Sequence, residues 1–95
     1  MEFLQTLEFN SDQINYIVSN TSSEVIDDIN NHSKVIENNI IFLRDLGVTN
    51  YKDIFTKYSE FFIREPDIFQ NTLNKYDRLD LIAKLLKNMA IFVRL

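Results

Sequence analysis

Cysteine is absent from the 95 residues, which excludes a disulfide framework, a thiolate metal site and a cysteine nucleophile. There is one glycine, Gly47, and one proline, Pro66. A single glycine rules out the glycine-rich cradles of Walker, dinucleotide and kinase type, and with them nucleotide-dependent chemistry of the usual kinds. It also leaves too little turn chemistry for β-hairpins. No apolar run approaches the roughly 18 to 20 residues that span a bilayer, and "MEFLQTLEFNSDQ" has no basic stretch ahead of an apolar one. The expectation is no membrane span, no secretory leader and a cytoplasmic location.

What is present points to a packed helical core. Hydrophobic residues make up 45 % of the chain and eight residues are Phe, enough apolar surface to offset chain entropy. Length and the lack of any linker-like stretch imply one domain over 1–95. The fold class expected is all-α, with five to seven short helices. Charge is unevenly divided: residues 1–50 carry eight acidic and two basic side chains, residues 51–95 six acidic and eight basic. An acidic chain lacks the footprint of a dedicated nucleic-acid binder, although its second half is net basic.

Apolar spacing places the helices. Ile36, Ile40, Leu43 and Leu46 recur at three and four residues, with Ser33 as an N-cap and Gly47 just past the C-terminus, where φ > 0 is needed. Tyr51, Ile54, Phe55, Tyr58 and Phe62 form a second stripe, capped by Thr49 or Asn50 and ending near Ile63 or Arg64 ahead of Pro66. Pro66 opens a short helix with Phe69, Leu73 and Tyr76 on one side. After Asp77 as a cap, Ile82, Leu85, Leu86, Met89 and Val93 read as one face of a terminal helix with Phe92 beside it. In the first third, Glu2 to Leu7, Ser11 to Ser19 and Ser23 to Ile29 are expected as short helices. Asn10 and Gln13 form a capping box for the second of them.

The chain also matches itself. "FLQTLEF" at 3–9 aligns with "FLRDLGV" at 42–48 at a constant offset of 39, pairing Leu4 with Leu43, Leu7 with Leu46 and Phe9 with Val48. With one residue inserted, Ile14 aligns with Ile54 and Val18 with Tyr58, and a further shift of 28 reaches Ile82 and Leu86. This reads as two units and a truncated third. The stretch "ENNIIFLRDLGVTNYKDIFTKYSEFFIREPDIF", Glu37 to Phe69, resembles the repeat of the mitochondrial transcription termination factor (mTERF) family: a helix ending in L-x-x-L-G, a second helix with spaced Ile and Leu, then a proline junction and a short third helix. The resemblance extends loosely over Phe3 to Val25 and weakly over 77–95. It implies about two and a half helical units stacked as a solenoid whose concave basic face holds nucleic acid. The chain departs from that pattern in its acidity, and in a first unit without the Gly and Pro.

Catalytic and metal-binding constellations are thin. His32 stands beside Ser33 and near Asp27 and Asp28, but neighbours in one polar turn rarely converge as a triad. Asp27 with Asp28, or Glu65 with Asp67, lack the further oxygen ligands and the Gly of a hard-cation loop. No catalytic residue, cofactor, metal or small-molecule ligand is expected. The aromatic run around Phe61, Phe62 and Phe69 reads as core, with an exposed aromatic groove as the sharper alternative. The function expected is a non-enzymatic interaction module that binds a protein partner or itself. The alternative is nucleic-acid contact through Lys75, Arg78, Lys84, Lys87 and Arg94, with Lys84, Lys87 and Arg94 on one face of the terminal helix.

Overall fold

Side-chain hydrogen bonds start three of the seven α-helices, and the element order contains no strand. The computed structural model describes residues 1–95 as seven α-helices and two 3₁₀ helices. In chain order these are α1 (Glu2–Thr6), α2 (Ser11–Asn20), α3 (Ser23–Asn31), α4 (Ser33–Asp45), α5 (Tyr51–Tyr58), a 3₁₀ helix at Ser59–Phe62, α6 (Pro66–Asn74), α7 (Arg78–Lys87) and a 3₁₀ helix at Met89–Arg94. The fold is therefore all-α, as the composition implies.

The capping box of α2 is present: Asn10 Oδ1 accepts from the Gln13 N–H at 2.8 Å and Gln13 Oε1 accepts from the Asn10 N–H at 2.9 Å. Ser22 caps α3 and Asp77 caps α7 in the same manner, each accepting from the backbone three residues on. Pro66 occupies the first turn of α6, where its missing N–H costs nothing.

Helix α4 is the axis on which the rest is hung, packing against α1, α3, α5 and α6. Its inward side is Ile36, Asn39, Ile40 and Leu43, all buried. Around it a chain of edge-on and stacked phenylalanines runs from Phe9 through Phe55 and Phe62 to Phe69 and Phe92, with centroids 5.0–6.1 Å apart. Such pairs stabilise beyond the burial of their area, and each fully buried ring contributes about 1.5–3 kcal/mol relative to exposure. The crevice beside Phe61, Phe69 and Leu95 encloses only about 10 Å³, room for no more than a water, so the aromatic run is core and not a groove.

Three sequence expectations are corrected. The helix from Tyr51 tightens into a 3₁₀ turn at Ser59, and buried Asn39 holds that turn by donating Nδ2 to the carbonyls of Phe62 and Arg64, both at 2.9 Å. Ser33 lies inside α4, and His32 takes the N-cap position without a side-chain bond to the helix. The terminal helix does not run to Val93: it stops at Asn88, whose extended backbone (φ −152°, ψ 101°) and side chain, accepting from the Ala90 N–H at 3.1 Å, start a separate 3₁₀ segment. Beyond that break Phe92 is buried; Leu86, within α7 on the side away from Leu81 and Leu85, is exposed.

The turns that follow α1 and α4 are built alike. After α4, Gly47 has φ +104°, its N–H donates to the Arg44 carbonyl, and the Val48 N–H donates to the Leu43 carbonyl. After α1, Glu8 has φ +69°, its N–H donates to the Gln5 carbonyl, and the Phe9 N–H donates to the Leu4 carbonyl. Both are Schellman closures, and in each the residues whose backbones are joined across the turn, Leu4 and Phe9 or Leu43 and Val48, are buried. Glu8 adopts the left-handed conformation that glycine takes in the second turn.

Candidate interaction surface

Helix α7 shows three kinds of face, set by the advance of about 100° per residue. Leu81 and Leu85 point into the core at 1 % and 0 % exposure. Asp80, Lys84 and Lys87 form a charged side, on which Lys84 Nζ lies 3.0 Å from Asp80 Oδ2. Between these lie Leu79, Ala83 and Leu86 at i, i+4 and i+7, with Leu79 70 % and Leu86 54 % exposed. Apolar residues thus cover more of α7 than the core uses, and the excess faces water.

Two links hold the helix in place at the far side of this face. Asn50 Nδ2 donates to the Leu85 carbonyl at 3.1 Å, tying α7 to the start of α5. Ile82 leans over the turn after α4, its Cδ1 3.1 Å from where a Cβ on Gly47 would stand. The turn after α1 is met in a comparable way, by Lys52 of α5 donating Nζ to the Glu8 carbonyl at 3.0 Å.

Self-matched positions differ in exposure according to their place in the chain. Ile54 is fully buried while Ile14 and Ile82, aligned with it, are half-buried. Tyr58 is half-buried while Val18 and Leu86, aligned with it, are 50 % and 54 % exposed.

The five basic candidates are all exposed, but they do not share one helix face. Lys75 ends α6, Arg78 begins α7, Lys84 and Lys87 follow on its charged side, and Arg94 is displaced onto the terminal 3₁₀ helix by the break at Asn88. Only Lys84 among them forms an ion pair. His32 is exposed, and its Nδ1 lies 2.8 Å from the Asp28 carbonyl, so the ring serves the α3–α4 junction. No three acidic or histidine side chains converge as metal ligands, and no helix is long and apolar enough to cross a membrane. A polar cleft of about 380 Å³ lies between α2 and α5, lined in part by Asp12, Tyr16, Asp53 and Lys57.

Two features escaped the reading of the sequence. Leu79 was legible in principle, because Leu79, Ala83 and Leu86 repeat at helical spacing beside the Leu81–Leu85 stripe. Asn39 was not, since a polar residue on an apolar stripe announces a buried partner without saying which. No family model matches the chain, and neither curated proteins nor solved structures give a match.

Proposed function

We propose that the chain is a non-enzymatic helical-repeat interaction module that binds a protein partner or a second copy of itself. One observation carries this reading: at both sets of self-matched positions the middle residue is more covered than the outer two, Ile54 against Ile14 and Ile82, and Tyr58 against Val18 and Leu86. Stacked units cover one another's apolar faces, so an array that ends without polar caps leaves its outer faces open for another protein. The like turns at Glu8 and Gly47, each met by a later helix, support the same reading and the mTERF-like unit that the sequence resembles.

The test compares the wild type with a Leu79→Glu, Leu86→Glu double variant by light scattering and by affinity capture. The wild type is expected to associate or to retain a protein that the double variant loses. A wild type that is monomeric at high concentration and retains nothing contradicts the proposal.

A second reading is supported by the exposure of Lys75, Arg78, Lys87 and Arg94 without ion-pair partners. In it, the basic half contacts nucleic-acid phosphates, and Lys84→Glu with Lys87→Glu abolishes a gel shift seen at low salt. No shift at about 50 mM salt, where such contacts are strong, rules it out.

A further inference from the structure

We propose that a second copy of this chain covers the open face of α7, the two α7 helices packing antiparallel about a two-fold axis that passes beside Ala83. The proposal rests on the interaction-module reading and names its occupant. Leu79 and Leu86 lie seven residues apart with Ala83 next to their midpoint. In an antiparallel pair, Leu79 of each copy therefore meets Leu86 of the other. The small Ala83 side chain between them lets the helix axes approach to about 8 Å, the near end of the usual range.

The charges choose the occupant and the direction. A two-fold axis perpendicular to the helices brings the charged flanks of both copies to the same side of the seam. On that flank Asp80 lies towards the N-terminal end of α7, and Lys84 and Lys87 lie towards its C-terminal end. Antiparallel packing then sets Asp80 of each copy against Lys84 and Lys87 of the other, twice over by symmetry, as an isologous interface requires. Parallel packing, whose two-fold axis runs along the helices, would put the two charged flanks on opposite sides of the seam and lose these pairings. Val18 on α2, the exposed residue aligned with Leu86, has no such pattern: its side of the helix carries Ser11 and Asn15 and no charge.

A helix of this length, about 15 Å, presents less than the roughly 800 Å² per partner of a standard interface. The dimer is consequently weak and reversible.

The absence of cysteine makes the decisive experiment clean. Ala83→Cys places the only thiol beside the axis, where the Cβ atoms of two copies come within the roughly 3.5–4.5 Å that a disulfide spans. Ala83 is exposed, so the substitution leaves the core intact. Mild oxidation at high protein concentration should give a covalent dimer from Ala83→Cys and none from Val18→Cys. Sedimentation equilibrium of the wild type should show the 11.3 kDa mass rising towards twice that value and no further. Asp80→Lys should weaken the dimer about tenfold by making the flank uniformly basic, and Asp80→Lys combined with Lys84→Asp and Lys87→Asp should restore it. A chain that remains monomeric to about 1 mM overturns the pairing. So does cross-linking of Val18→Cys as readily as Ala83→Cys, or a charge swap that restores nothing. The capture experiment above is independent of these results: a monomer that retains a different protein through Leu79 and Leu86 loses this proposal and keeps the module reading.

Discussion

The turn after α1 and the turn after α4 make the same hydrogen bonds around different residues, Glu8 at φ +69° and Gly47 at φ +104°. Their difference separates what a fold demands from what it tolerates. At +69° a non-glycine residue sits inside the left-handed region at a cost of about 1–2 kcal/mol. At +104° the backbone is beyond the usual range of any side chain, and a Cβ would stand 3.1 Å from Ile82 Cδ1, closer than ordinary contact. Glycine is required at one turn and dispensable at the other. The first turn offsets its strain through buried Phe9 and the bond from Lys52 Nζ to the Glu8 carbonyl.

The helices that lead into the two turns differ in what anchors them, so the largest expected effect lies at Asn39 of α4, which has no counterpart in the short α1. Asn39→Ala removes the donor to the Phe62 and Arg64 carbonyls and should lower stability by about 2–4 kcal/mol in urea unfolding, at about 1–3 kcal/mol per buried acceptor left without a partner. Next is Gly47→Val, which places a β-branched side chain at positive φ against Ile82; a loss of about 2 kcal/mol is expected, whereas a residue in ordinary helix would tolerate the change. Smallest is Lys52→Met, which removes the donor to the Glu8 carbonyl and the charge 5.9 Å from the Phe9 ring centroid. It should cost about 0.5 kcal/mol and leave the turn after α4 unaffected.

Local chemistry in the sequence was sufficient for most helix starts. Asn10 with Gln13, Pro66 and Asp77 each act on backbone within one turn of themselves, and each lies where its residue type implies. The periodic stripes of α4 and α5 were legible because both helices have one buried side. The break at Asn88 was not, because Met89 and Val93 continue the helical spacing of Ile82 and Leu85, and only the Asn88 side chain bonded to Ala90 ends it. The open face of α7 was misassigned for a related reason: with leucine on two sides of one helix, spacing alone does not say which side the core takes. Leu81 and Leu85 are buried because Asn50 and Gly47 fix the helix from outside it, through contacts 35 residues apart in sequence.

That the two turns are one closure used twice is tested most directly by urea unfolding of Glu8→Gly beside the wild type. A left-handed Glu8 predicts that glycine raises stability by about 0.5–1 kcal/mol, relief of the side-chain strain outweighing the extra freedom of the unfolded chain. A right-handed residue at the end of α1 would instead lose up to about 1 kcal/mol on the same substitution, and a decrease would contradict the equivalence of the two turns.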